Sequence, residues 1–361
     1  MNTIKERAAA IAAAAQKLNS AVYNASNDHG KITEARTVAQ QHSPKLVSLE
    51  EAIKQSGLKD GMTISFHHHF RGGDKVVNLV VGKLAEMGFK NLHLAASSLL
   101  DTHEPLIEHI KNGVITQIST SGLRGELARQ ISLGLMENPV VFRSHGGRGA
   151  AIAKGELHID VAFLGASSSD PLGNACGYSR SENAQSICGS LGYALPDAEY
   201  ADKGGILTDD LVNYPNTPAS ISERYVDYVV QVDSVGDSSK IASGAIRDTK
   251  NPRDILLAKQ AAKVIEHSGY LTPGFSIQTG SGGASLAVVK YLRNAMVEQN
   301  IKASFALGGI TAHMVKLHEE GLIERLIDVQ SFDKVAAESL KNDAMHQEVS
   351  AFEYASPDEP G

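Results

Sequence analysis

Three consecutive histidines, residues 67–69, stand between a β-rich run and a helical pattern, and Arg71, Gly72 and Gly73 follow closely. Adjacent residues rarely converge on one metal ion, and no Cys or close acidic ligand accompanies them, so neutral hydrogen-bond donors are favoured over a metal site. Side chains alternate at a strand end, so His67 and His69 should point together while His68 points away. The glycine N–H groups and the planar Arg71 fork suit a carboxylate or phosphate, with a solvated turn as the equal alternative.

A second group combines cations with glycines after another predicted strand: Arg143, His145, Gly146, Gly147 and Arg148. The backbone of such a loop can approach an anion closely, and the two guanidinium groups add charge. This pattern favours an anion site over an ordinary surface turn.

Three serines, residues 167–169, follow a hydrophobic run, and Gly173-Asn174 comes shortly after them. Hydroxyls at a strand end could donate to a bound anion, with Ser167 the first candidate, whereas Gly173 and Asn174 suit a structural hairpin. No nucleophile triad is recognisable nearby, so acyl-serine hydrolysis has little support.

Glycines also follow two predicted strands in the second half, as Gly280-Ser281-Gly282-Gly283 and as Gly308-Gly309. The first turn fails the dinucleotide fingerprint because Ser285 holds the place of the third glycine, and the chain has no phosphate-loop lysine motif. Close packing of helix on strand explains such turns equally well.

These residues must be positioned by strands that alternate with helices, a pattern that predicts an α/β fold with mainly parallel sheets covered on both faces. Residues 140–143 and 161–164 are predicted as buried strands. Ligands bind beyond the carboxyl ends of such strands, so the His-triplet loop and the 280–283 turn should line one cleft between two domains. We expect an N-terminal helix and arm over residues 1–45, a first domain over 46–240 and a second, incomplete domain over 241–361.

Composition excludes several classes of function. The chain has 361 residues, 41 acidic against 34 basic side chains and a net charge of −7, which opposes nucleic-acid binding. Its two cysteines lack zinc or disulfide spacing. Such cysteine usage suits a reduced compartment, so the cytoplasm is expected. No stretch is apolar and long enough to span a bilayer, and the alanine-rich N-terminus reads as a helix rather than a signal peptide.

Several of these segments together resemble a known family. Residues 60–74, which include the histidine triplet, are similar to the alpha subunit of bacterial citrate lyase, within the CoA-transferase superfamily. Residues 168–174 resemble that superfamily's D-x-x-G-N turn, and residues 278–283 resemble the glycine turn of its second half. The resemblance implies two tandem CoA-transferase-like (NagB/RpiA-like) domains. Because the family's chains continue beyond residue 361, this one resembles a C-terminally truncated form.

The resemblance implies a citrate CoA-transferase that exchanges acetate for citrate on a thioester, through a mixed anhydride rather than a glutamyl thioester. Citrate would itself be the nucleophile. On this scheme the catalytic donors are Gly72, Gly73, Gly282, Gly283 and His69. The citrate-binding residues are His67, His69, Arg71, Arg143, His145, Arg148 and Ser167. The residues for the phosphate-bearing arm of the thioester are Gly146, Gly147, Gly280, Ser281, Gly308 and Gly309.

The resemblance further implies an oligomeric complex with an acyl carrier protein subunit and a citryl lyase subunit. The CoA-like prosthetic group would be carried by the acyl carrier subunit, and this chain would hold no cofactor or metal tightly. An acyl-CoA hydrolase, another carboxylate CoA-transferase and a noncatalytic anion-binding sensor on the same scaffold remain the alternatives.

Overall fold

The computed structural model describes residues 43–179, 181, 186–241, 249–280 and 282–356. The predicted N-terminal helix and nearly all of the predicted arm lie outside the described residues, as does Ser281. Among the helices of the described part, none is long and apolar enough to cross a membrane.

The described residues of the first part of the chain form nine strands, of which seven make one parallel sheet in the order β4-β3-β2-β1-β5-β8-β9. The strands are β1 (Thr63–Phe66), β2 (Leu92–Ala96), β3 (Ile115–Thr120), β4 (Val141–Phe142), β5 (Val161–Ala166), β6 (Ser168–Ser169), β7 (Ala175–Cys176), β8 (Lys203–Thr208) and β9 (Tyr228–Gln231). Ile64 in β1 lies between Leu94 in β2 and Val161 in β5, which sets the register at the centre. All six residues of β5 are buried, as expected for a central parallel strand covered on both faces.

One predicted buried strand is exposed instead. Strand β4 has two residues and forms the sheet edge, and the side chains of Val141 and Phe142 are 44% and 59% exposed. An apolar run alone does not distinguish a central strand from an edge strand.

Within the described range, six α-helices accompany this sheet: α1 (Leu49–Gln55), α2 (Val76–Glu86), α3 (Leu106–Lys111), α4 (Gly125–Ser132), α5 (His145–Ala153) and α6 (Leu195–Tyr200). Helix α1 begins at Leu49, where the Ser48 hydroxyl caps it by accepting a hydrogen bond from the Glu51 N–H at 3.2 Å. The apolar stripe of α2, which includes Val77, Val80 and Leu84, is buried in the main core with the strands.

The predicted hairpin after β5 is confirmed. Strands β6 and β7 pair antiparallel, and the Asp170 carboxylate closes their turn by accepting hydrogen bonds from the N–H groups of Leu172, Gly173 and Asn174 at 3.0–3.1 Å. Gly173 has a φ of +103°, a conformation that glycine adopts without strain.

The second sheet contains four parallel strands in the order β10-β11-β12-β13. These are β10 (Phe275–Ile277), β11 (Ala303–Ile310), β12 (Ile323–Ser331) and β13 (His346–Glu348), with helices α7 (Pro252–His267), α8 (Gly283–Glu298), α9 (Ala312–Glu319), α10 (Lys334–Asn342) and α11 (Ala351–Ala355). A separate hydrophobic core, which includes Met296, Met314 and Leu326, lies under this sheet. Strands β10 and β11 are the two that the glycines were predicted to follow, but Gly308 and Gly309 lie within β11 rather than after it.

The end of the described chain returns to the first sheet. Helix α11 packs on α5, where Phe352 is buried against Ala150 and Ala153. The second half is therefore tied to the first by a helix contact as well as by the connecting chain.

Candidate active site

One cleft of about 530 Å³ lies between the two sheets. Residues that line it come after strands of both sheets. His68 and Arg71 follow β1, Arg124 follows β3, and Thr279 and Gly280 follow β10. The predicted meeting of the His-triplet loop and the 280–283 turn is thus confirmed at Thr279 and Gly280. Parallel strands present ligand sites at this edge because the connections diverge there.

The histidine triplet alternates across the cleft wall as expected, but the residue that faces the cleft is His68. The rings of His67 and His69 lie behind it, 4.3 Å apart between centroids, with a hydrogen bond between their Nδ1 atoms. His69 Nε2 accepts a hydrogen bond from the Tyr193 N–H at 3.2 Å, so the His69 proton is on Nδ1. His67 and His69, predicted to contact citrate, do not line the cleft and instead support the loop.

Burial keeps all three imidazoles neutral. Desolvation lowers the pKa of His67 to about 4 and the pKa values of His68 and His69 well below the usual range. These side chains are therefore neutral donors and acceptors near pH 7.

Two guanidinium groups face the same cleft. Arg71 is buried, has a left-handed backbone φ of +50°, and stacks over the Phe332 ring at 4.6 Å. Desolvation, followed by the nearby charge of Arg124, lowers the pKa of Arg71 to about 10, which leaves it protonated at neutral pH. Arg124 is exposed at the edge of the cleft, and sequence reasoning missed it although it follows a predicted strand.

Three buried polar atoms in the cleft lack a hydrogen-bond partner within the described part of the chain: Ser121 Oγ, His145 Nδ1 and Thr279 Oγ1. Buried polar groups are nearly always satisfied, so such a cluster is typical of a site for a polar ligand. His145 was predicted here, and its ring lies against Tyr193 and His68 at 4.8 and 5.7 Å. Ser121, Thr279 and Tyr193 were not proposed as binding residues.

The predicted cationic loop after β4 is mostly a helix. Ser144 caps α5 by accepting a hydrogen bond from the Gly147 N–H at 3.0 Å, so that N–H is not available to a phosphate. A Cβ on Gly146 would lie 1.7 Å from the Ala355 carbonyl oxygen, and one on Gly149 would lie 3.3 Å from Phe352 Cα. Gly146 and Gly149 allow α11 to cross α5 closely, and Gly146, which was predicted to bind the thioester arm, also lines the cleft.

The two arginines of that segment lie away from the cleft lining. Arg148 is buried and donates two hydrogen bonds of 2.7 Å to the Asp197 carboxylate, which ties α5 to α6. Arg143 is at the sheet edge, where its charge adds to the desolvation that lowers the pKa of His93. Ser167 is fully buried and donates to the Gly177 carbonyl at 2.8 Å. All three were predicted to bind citrate, and none lines the cleft.

The predicted oxyanion glycines also lie outside the cleft lining. Gly73 is pressed against the Asp237 backbone, since a Cβ there would lie 2.2 Å from the Asp237 oxygen, and its N–H bonds to Phe70 at 2.9 Å. Gly72 approaches the Lys240 carbonyl. Gly282 and Gly283 begin α8 beside the cleft.

The second glycine pair contributes to the wall itself. Gly309 lines the cleft against the Phe332 ring. Gly308 lies behind it with a φ of +104°, close to Tyr354 and Gln278. Gly309 therefore keeps its predicted place at the cleft, and Gly308 supports it.

Comparisons with known proteins name one family. The family model "Citrate lyase, alpha subunit (CitF)" matches residues 43–361. The citrate lyase alpha chains of Klebsiella pneumoniae and Escherichia coli are 62% and 58% identical over 87% and 85% of this chain. The chain spans 61% and 60% of the length of those relatives.

Solved structures similar to this chain include a member of the same family. The alpha subunit of citrate lyase from Streptococcus mutans, solved in complex with citrate, has a TM-score of 0.87 and 54% identity, covering 92% of this chain and 65% of that one. The alpha subunit of a malonate decarboxylase from Acinetobacter baumannii has a TM-score of 0.60 at 15% identity over 80% of this chain and 52% of that one. The latter shows a shared CoA-transferase-like fold alone.

Proposed function

Because the chain belongs to the citrate lyase alpha-subunit family, we propose that it is a citrate CoA-transferase whose site is the cleft between the two sheets. The reaction exchanges acetate for citrate on a thioester and gives a citryl thioester. In the complete complex a partner subunit would then cleave that product to oxaloacetate and the acetyl thioester, so that the whole cycle converts citrate to acetate and oxaloacetate.

The charge of the cleft carries this proposal. Arg71 and Arg124 face it, whereas none of its described lining residues has a carboxylate or thiol side chain. Citrate has three carboxylates and one hydroxyl, so it needs cations and several neutral donors. The cleft supplies both, and Ser121, His145 and Thr279 provide polar atoms that still need partners.

The same composition favours a particular chemistry. With no acidic or thiol group in the described wall, a glutamyl or cysteinyl intermediate has no side chain to form on. A citrate carboxylate oxygen attacks the acetyl thioester carbonyl, the C–S bond breaks, and a mixed anhydride and a thiolate form. The thiolate then attacks the citryl carbonyl, which releases acetate and yields the citryl thioester.

We further propose that the thioester arrives on a CoA-like arm of an acyl carrier subunit. The N-terminus of α8 supports this, because Gly282 caps it without a side-chain hydrogen bond, is exposed, and follows the cleft residue Gly280 closely. Helix N-termini favour phosphate groups. A citryl lyase subunit and an oligomeric complex in the cytoplasm complete the proposed setting.

The direct test is product analysis. Purified chain is incubated with acetyl-CoA and ¹³C-labelled citrate, and mass spectrometry looks for labelled citryl-CoA with equimolar acetate. Acetate released equally without citrate would show a hydrolase instead. Citrate binding with no thioester turnover at any enzyme concentration would favour the noncatalytic anion sensor.

Arg71 gives the matching substitution test. Arg71→Ala removes a charged donor, so we expect the KM for citrate to rise roughly ten- to hundredfold, since such a hydrogen bond contributes about 1.5–3 kcal/mol. Arg71→Lys keeps the charge, so its KM for citrate should rise less than that of Arg71→Ala. Arg129→Ala, an exposed arginine on α4, is the control and should leave KM unchanged. Equal kinetics for all these proteins would remove Arg71 from the site.

A further inference from the structure

We propose that His68 is a catalytic residue of the transfer: its Nε2–H donates to the carbonyl oxygen that becomes negative during attack on the thioester. Ser97 is the positioning residue that keeps the imidazole proton on Nε2. This inference rests on the proposed transferase function and names the donor that the predicted glycines do not supply.

The two hydrogen bonds of Ser97 set the tautomer. Its Oγ accepts from the His68 backbone N–H at 3.0 Å and lies 2.6 Å from His68 Nδ1. Ser97 is buried, so its hydroxyl proton needs an acceptor, and His68 Nδ1 is the one in reach among the described residues. With Nδ1 accepting, the neutral ring carries its proton on Nε2.

The surroundings fix the direction of that proton. The ring stacks on Tyr193 at 5.1 Å and on His145 at 5.7 Å, and the His68 carbonyl accepts a hydrogen bond from Gln330 Nε2 at 3.1 Å. His68 lines the cleft while Ser97 lies behind it. Since Nδ1 faces Ser97 in the wall, the opposite polar edge, Nε2, is the one presented to the cleft.

A neutral donor suits a developing charge. Arg71 and Arg124 attract the carboxylates of citrate as strongly before the attack as during it, which favours binding rather than rate. A fixed neutral N–H bonds weakly to a carbonyl oxygen and strongly to an oxyanion. Desolvation and the neighbouring charges of His145 and Arg71 lower the pKa of His68, so this donor is neutral near pH 7.

Two substitutions of His68 by amide residues distinguish the role of Nδ1 from that of Nε2. The Asn amide can reach the position of Nδ1 and the Gln amide that of Nε2, so His68→Gln keeps a donor at the cleft and His68→Asn does not. We expect His68→Asn to lower kcat by about 10²–10³, the usual effect of losing one oxyanion donor, with the KM for citrate within about threefold. His68→Gln should stay within about tenfold of wild type, and His158→Asn, on the exposed side of the protein, should match wild type.

The tautomer is measured independently of activity. ¹⁵N NMR of histidine-labelled chain, with the His68→Asn spectrum identifying the signal, should show Nε2–H in wild type. Ser97→Ala should give a mixture of tautomers and a kcat about tenfold lower at unchanged KM.

Two results would overturn the inference without touching the proposed function: an Nδ1–H tautomer of His68 in wild type, or wild-type kcat in His68→Asn while citryl-CoA is still formed. An equal loss of kcat in the Asn and Gln variants, together with lowered thermal stability, would also overturn it, because it would show that His68 has a packing role. Failure of the proposed function has a different signature, namely that wild type itself forms no citryl-CoA.

Discussion

Identical residue types acquire different roles from their surroundings. Arg148 and Arg129 each bind one carboxylate through two nitrogens, Arg148 to Asp197 and Arg129 to Glu126. The Arg148 pair is buried, whereas Arg129 is more than half exposed. Water already solvates the exposed ions, so the same geometry has different consequences for stability.

This contrast predicts that removing the two arginines lowers the free energy of unfolding by unequal amounts. Arg148→Ala leaves the Asp197 carboxylate buried without its counter-charge, and the free energy of unfolding should fall by about 3–5 kcal/mol. Arg129→Ala should change it little. Urea denaturation of both variants measures the difference. Similar midpoints for the two would mean that the buried pair contributes no more than the exposed one.

At the scale of elements, a helix crossing connects the two halves. Glycines at positions 146 and 149 face α11, and the end of that helix carries Tyr354 and Ala355 into the cleft wall. Because glycine has no side chain, these two positions let the helices approach each other closely. The position of α11 therefore affects both stability and the site.

Gly146→Ala should disturb this crossing. The new Cβ would overlap the Ala355 carbonyl, so we expect a loss of about 1–3 kcal/mol and faster proteolysis near α11. The matched control is Gly82→Ala in the middle of α2, where nothing lies within 4 Å of the new Cβ. That change should be neutral or stabilise by up to about 1 kcal/mol, because alanine favours helix. Equal effects at both sites would argue against a close crossing.

Across the whole molecule, the two halves of the chain are joined by polar groups, of which Ser190 is buried and Glu348 is half-buried. The Glu348 carboxylate accepts a hydrogen bond from the Leu191 N–H, and the Ser190 hydroxyl donates to the Asp328 carbonyl at 2.8 Å. Desolvation, with the charge of Asp328 adding to it, raises the pKa of Glu348 to about 7. The folded protein therefore keeps a proton on Glu348 at pH values where the unfolded chain has lost it.

This raised pKa gives a pH dependence of known sign. Between the unfolded pKa of 4.5 and the folded value of about 7, the native state binds more protons, so this group makes stability fall as pH rises. Glu348→Gln removes that contribution. Between about pH 4.5 and 7, the free energy of unfolding of the variant should rise relative to that of wild type by about 3 kcal/mol in total. Above pH 7 the difference between the two proteins should stay constant. Denaturation curves across this range that stay parallel would contradict the raised pKa.

The sequence predicted the fold well because apolar runs, turns and helix caps are local signals. The alternation of residues 67–69 was also readable, but which face meets the cleft depends on the second sheet. Arg124 was missed since one arginine in a short turn resembles any surface arginine. The glycines before Arg148 suggested an anion loop, and only the return of α11, far along the chain, reveals that Gly146 serves helix packing.

A crystal structure of this chain with citrate would show whether citrate binds between the two sheets. We predict density for citrate in the cleft, with carboxylates on Arg71 and Arg124 and with polar contacts to Ser121, His145 or Thr279. Citrate bound elsewhere, for example between α7 and α9, with the cleft empty would show that the cleft is not the citrate site.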